Sequence, residues 1–182
     1  LFGGAITAEI PTRFVDVSQF RLIQDNQEVL CDIDSDQSII IELLSLVDDV
    51  TNENAAEFHY RELAKENDAL NNFSIVENRL LANEEIPQFS SPTIHKAVVL
   101  GTQQISKFNE QAKNEVNIYM AIIRIPHITT DIVITFNAPS NVNECSSSAN
   151  NIQHRYTVEQ STKVFQNLLH TFKILDWTLF CQ

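Results

Sequence analysis

Three runs in succession, Lys96 to Ile105, Val116 to Ile125 and Asp131 to Phe136, carry strong strand patterns. The connections between them, Phe108 to Asn114 and Pro126 to Thr130, are short enough for an antiparallel meander. The rest of the chain has to pack around that sheet. Phe73 to Leu81 fits an edge strand, and Ala5 to Ile10 alternates apolar and polar residues until Pro11 stops it. Glu28 to Ile33 reads as a further strand, with Val29, Cys31 and Ile33 on one face and Glu28, Leu30 and Asp32 on the other. Asp16 caps a helical turn through Phe20. Asp36 to Val47 is expected to be a buried helix: Ile39, Leu43, Leu46 and Ile40, Leu44, Val47 stack at three- and four-residue spacing, with Asp34 or Ser35 as N-cap. Asn54 to Leu70 reads as a polar surface helix showing Ala55, Phe58, His59, Glu62 and Leu63 along one flank. Val158 to Leu175 is the cleanest amphipathic helix, through Val164, Phe165, Leu168, Leu169 and Phe172.

Strands clustered in the middle with helices before and after predict an α+β layered class, an antiparallel central sheet packed by helices on its faces. No internal repeat or linker divides the chain, so residues 1–182 form one domain. Eleven Phe and 43% hydrophobic residues supply its core. The Asn- and Ser-rich tract from Asn137 to His154 has no periodicity and predicts a mobile surface loop over 137–156.

Several chemistries lack their signatures. The glycines are Gly3, Gly4 and Gly101, with no phosphate-cradling loop and no nucleophile elbow. His59, His95, His127, His154 and His170 are dispersed, no two at the spacing that places a pair of imidazoles on one metal; each is expected at a surface or boundary, with His170 a satisfied polar neighbour of the core. Cys31, Cys145 and Cys181 are odd in number and share no CxxC spacing, which suits the cytosol or nucleus, and Cys31 is expected as a packed thiol. No metal and no cofactor are expected. No run of eighteen apolar residues appears, and the opening residues lack the charge and apolar pattern of an export signal.

Charge is distributed unevenly. Residues 1–85 hold 18 acidic and 5 basic side chains, a balance of −13, against 6 and 7 in residues 86–182. Such a field disfavours nucleic acid and anionic membrane and suits a basic protein partner. The acidic segment opens on Asp25-Asn26-Gln27-Glu28-Val29, two carboxylates three residues apart, followed by Asp32, Asp34 and Asp36. A solvated turn, a protein-docking turn and a general acid–base pair all fit this pattern, in that order; catalysis would need a cleft and a companion His or Arg that nothing nearby supplies. No exposed apolar seam is evident, so a monomer is expected.

Leu1-Phe2-Gly3-Gly4-Ala5-Ile6, Val15-Asp16-Val17-Ser18 and Gln24-Asp25-Asn26-Gln27-Glu28-Val29 resemble the opening signature of the Ran guanine nucleotide release factor family, the Mog-type nuclear import proteins. Asp36 to Leu44 resembles the family's first long helix, and Thr130 to Pro139 its late central strand; Asn52 to Ser91 matches loosely. The resemblance implies a Mog-like α/β domain without an ordinary catalytic site, a nuclear and cytoplasmic protein that binds the GTPase Ran and promotes release of its guanine nucleotide in support of nuclear import. It places the Ran-contacting acidic pair on Asp25 and Glu28, with Gln27 and Asp16 as neighbours of the same blocks. Gln24 stands where proline commonly precedes the aspartate, which implies a less rigid turn. The competing reading is an acidic module for another basic partner, without nucleotide release; a small hydrolase using Asp25 and Glu28 ranks below both.

Overall fold

The computed structural model describes residues 1–107 and 110–180. Cys181 and the first two residues of the expected 108–114 connection lie outside the described residues. The elements run β1 (Ile6–Thr7), β2 (Val15–Asp16), β3 (Gln27–Asp32), β4 (Gln37–Ser45), α1 (Ala55–Glu66), β5 (Phe73–Leu80), β6 (His95–Ser106), β7 (Lys113–Ile125), β8 (Thr130–Asn141), α2 (Ser148–Asn151), α3 (Val158–Thr171) and β9 (Lys173–Ile174).

The expected meander forms the sheet's spine. β6, β7 and β8 pair antiparallel along most of their length, within a seven-stranded sheet of order β2-β3-β4-β8-β7-β6-β5. β5 sits at the edge, as its pattern predicts. Helices cover both faces. On one, Phe165, Leu168 and Leu169 of α3 pack with Phe172 on Ile39, Ile41, Tyr119, Ile134 and Phe136. On the other, Ala55, Ala56 and Tyr60 of α1 pack on Val99, Ile118, Met120, Ile122 and Val133. β1 and β9 form a separate two-stranded pair, Ile6 opposite Ile174, so the expected strand from Ala5 to Ile10 is only two residues long.

The expected helix over Asp36 to Val47 is instead strand β4, paired with β3 on one side and β8 on the other. Its burial alternates: Gln37, Ile39 and Ile41 are buried, while Ser38, Ile40 and Glu42 are half-buried. A central strand covered on both faces carries apolar residues at consecutive positions, and a continuous run satisfies helical spacing as readily as strand spacing. Three adjacent β-branched isoleucines decide for the strand. Asp34 and Ser35 accordingly belong to a hairpin turn, with Asp36 in the left-handed region at φ 59°.

The 137–156 tract also differs from a loop. Its first residues extend β8 to Asn141 and a helical turn forms at α2. Ser146 and Ser148 are buried, Ser146 accepting from the Asn114 amide (3.0 Å) and Ser148 donating to Asp36 (2.7 Å). Short polar side chains here serve a neighbouring hairpin, a use that composition cannot reveal.

Gly101 is required by a close approach. A Cβ at this position of β6 would land on the Ser74 carbonyl of β5 and 2.5 Å from the Tyr60 hydroxyl, which itself donates to Ser74 O at 3.0 Å. The β5 register shifts just beyond, between Ile75 and Glu77.

Candidate functional site

Asp25 and Asn26 occupy the centre of a tight turn closed by the Gln27 N–H donating to the Gln24 carbonyl at 2.9 Å. Two bonds tie the turn to β4. The Leu43 N–H donates to Asn26 O at 2.9 Å, and Asn26 Nδ2 donates to Leu43 O at 3.3 Å. The backbone is therefore anchored at the turn, although Gln24 supplies none of the stiffness of a proline. Asp25 is exposed, and no hydrogen bond to its carboxylate is found among the described residues.

The other three expected residues do not share its surroundings. Glu28 sits opposite Ile41, on the α3 side of the sheet, and accepts the Phe2 backbone N–H, so its carboxylate helps to hold the N-terminal turn. Gln27 is the preceding strand residue and points to the opposite face. Asp16 lies opposite Leu30, on Glu28's side and about 10 Å along the strand from Gln27. It caps the helical turn Val17–Gln19 as its sequence predicts, accepting the Ser18 N–H at 2.8 Å.

Gln27 has a partner that a helical reading of β4 could not supply. It faces Glu42 across the β3–β4 pair, and its Nε2 donates to Glu42 Oε1 at 2.6 Å. Burial pushes the Glu42 carboxyl above the usual carboxylate range, Gln27's bond opposes that, and the nearby Glu66 charge raises it further. Reading 37–45 as a strand would have exposed this residue, since strand register alone sets it opposite Gln27.

Asp32 and Asp36 are engaged internally through their carboxylates, and Asp34 through its backbone. Asp32 is buried and accepts from Arg13 Nε at 2.9 Å and from Ser35 Oγ at 2.6 Å. Arg13 also donates to Gln37 at 2.8 Å, and its guanidinium lies over the Tyr156 ring at 4.3 Å and the Phe14 ring at 4.7 Å. Asp36 takes Lys107 at 3.0 Å. The Asp34 carbonyl accepts the backbone N–H groups of Gln153 and His154. Asp25 and Asp34 are thus the exposed acids of the segment, and of the two Asp25 stands on the turn anchored to β4.

A second polar cluster is buried outright. Asp131, fully buried, accepts from Arg124 Nε at 3.0 Å and meets His59 Nε2 at 3.1 Å. Arg124 also donates to the Val47 and Val50 carbonyls, which fixes the β4–α1 connection against the β7–β8 turn. Burial alone would raise the Asp131 carboxyl; the His59 and Arg124 bonds outweigh it and hold the group below its ordinary value. His59 is thus a core residue, contrary to its expected place at a surface or boundary, whereas His170 is exposed, with Nδ1 3.1 Å from Glu84 O. Cys31 is half-buried, and burial pushes its thiol up against the lowering influence of Arg21. Among the described residues no group of three or more His, Cys, Asp or Glu could hold a metal ion, and no helix is long and apolar enough to cross a membrane.

The family model described as "Ran-interacting Mog1 protein" matches residues 1–139. The "Probable ran guanine nucleotide release factor" of Dictyostelium discoideum is 41% identical over 99% of this chain and 94% of its own length. The "Ran guanine nucleotide release factor" of Danio rerio is 41% identical over 99% and 97%. The crystal structure of the Saccharomyces cerevisiae Ran-binding protein Mog1p superposes with a TM-score of 0.71 at 25% identity, covering 99% of this chain and 95% of that one.

Proposed function

The chain belongs to the Ran-interacting Mog1 protein family, and from that premise we propose that it binds the small GTPase Ran and promotes release of its bound guanine nucleotide, in support of nuclear protein import. It acts as a monomeric binding regulator in the nucleus and cytoplasm, without chemical catalysis, and it takes neither nucleic acid nor membrane as a partner. The observation that carries the site assignment is the anchored turn with Asp25 free at its tip.

A loaded GTPase holds its nucleotide through a lysine, backbone amides and a magnesium ion. A protein that binds the nucleotide-free form more tightly than the loaded form must lower nucleotide affinity by the same factor. Asp25 pairs with a basic group of Ran close to those phosphate contacts. Gln27, Glu28 and Asp16 support the turn from either face of the sheet, Glu28 by holding the N-terminal turn and Gln27 by orienting Glu42. A charge at the margin of such an interface acts mainly on the rate of association and its dependence on salt.

The test is release of a fluorescent guanine nucleotide from purified Ran, with the wild-type chain, Asp25→Ala and Glu28→Gln compared at fixed salt. Acceleration by the wild type that Asp25→Ala loses by about tenfold or more at low salt, the scale of electrostatic steering, supports the assignment. Full activity in Asp25→Ala moves the site elsewhere, and no acceleration by folded wild-type protein leaves a binding module for some other basic partner.

A further inference from the structure

We propose that Phe20 and Leu22 are the apolar anchors of the Ran-facing surface, seating in an apolar pocket of Ran rimmed by basic side chains; this rests on the Ran-binding reading above. Both side chains stand in water, Phe20 74% and Leu22 99% exposed. The stretch that carries them is fixed at both ends. The Phe20 and Arg21 N–H groups donate to the Val17 carbonyl at 2.9 and 3.1 Å, Asp16 caps that turn, and the Gln24–Gln27 turn closes the other end. An anchor already held in place loses little freedom on docking.

Single exposed apolar residues are ordinary on protein surfaces. Here two fall within three residues of each other, on the segment that joins Asp16 to Asp25. An apolar centre with charged residues at its margin is the anatomy of a protein interface. Charge selects the occupant. A second copy of this chain would bring Asp16 and Asp25 against the same pair, with Arg21 the one basic side chain of the segment to offset them. A Ran surface with a basic rim meets the same margin favourably. The two kinds of residue then divide the work: Asp16 and Asp25 steer association, and Phe20 and Leu22 slow dissociation.

Binding to nucleotide-depleted Ran, with its rates and salt dependence, is measured for the wild type, Phe20→Ser, Leu22→Ser and Val76→Ser. Val76 is 78% exposed on β5, at the far end of the sheet, and reports on general loss of surface apolarity. Phe20→Ser and Leu22→Ser are each expected to weaken binding about tenfold, mostly through faster dissociation and with unchanged salt dependence. Val76→Ser should stay within about twofold of the wild type. If the wild type binds and accelerates nucleotide release while both anchor variants match it, the anchor assignment is wrong and the Ran reading stands. If the wild type does neither, the Ran reading falls and the anchors with it. Sedimentation of the free chain as a dimer that Leu22→Ser dissolves would make a second copy the occupant and overturn the proposal.

Discussion

Gln27 and Glu42 face each other across the β3–β4 pair, joined by a 2.6 Å bond from the Gln27 amide to the Glu42 carboxylate. A carboxyl raised by burial binds its proton more tightly folded than unfolded. Its stabilising contribution is therefore complete below the ordinary glutamate value and lost as pH rises through the folded value. At neutral pH the charged form is a cost to the fold. Glu42→Gln is expected to raise stability at pH 7, with the gain vanishing at pH 3; urea melts at the two values check it.

Asp25→Ala should lower the rate of association with Ran and flatten its dependence on salt, because an exposed carboxylate acts mainly at encounter. Stopped-flow association over a salt series reads both. The melting temperature should not move, since no internal hydrogen bond to Asp25 is found among the described residues.

Removing a partner from Asp131 leaves a charge stranded in the core. Arg124→Met is expected to cost about 3–5 kcal/mol in chemical denaturation. In the wild type the depressed Asp131 carboxyl stabilises the fold above the ordinary aspartate value, and that contribution is lost as pH falls through the lower folded value. Asp131→Asn should lose this acid dependence along with the stability, read from urea melts between pH 5 and pH 2.

Arg13→Lys keeps the charge but gives up a planar group that bonds Asp32 and Gln37 while lying over Tyr156. A loss of about 1–3 kcal/mol is expected in denaturant melts, more than an exposed ion pair would cost.

Gly101→Ala should destabilise by about 1–3 kcal/mol or more, because the added methyl meets the backbone carbonyl of Ser74. Tyr60→Phe, which removes the nearby hydroxyl, should fail to rescue it. Thermal melts of the two single variants and the double variant test this.

The meander was legible because Val116 to Ile125 and its neighbours are strands by pattern and have only short connections to make. α3 was legible for a related reason, as Phe165, Leu168 and Leu169 mark a single buried flank, but it ends at Thr171, where the expected helix to Leu175 gives way to an extended Phe172 and β9. β4 was not, because Ile39-Ile40-Ile41-Glu42-Leu43-Leu44 is apolar toward both faces and periodicity loses its meaning there. A helical pattern over these residues hides Glu42, whose place opposite Gln27 follows only from strand register. The Asp16 cap could be read locally, two residues from its donor. The fates of Glu28, Asp32 and His59 could not, because their partners Phe2, Arg13 and Asp131 lie 26, 19 and 72 residues away. Nor does composition distinguish an apolar side chain in the core from Leu22 in water.

The pairing of β1 with β9 has a consequence for the order of events in folding. Ile6 can meet Ile174 only after nearly all of the chain between them has been made and arranged. Contacts so distant in sequence repay their closure entropy last. β1 follows directly on the N-terminal turn whose Phe2 N–H holds Glu28. During synthesis the N-terminal segment therefore stays without its strand partner until β9 emerges, and β1 is among the last pieces of the chain to be fixed.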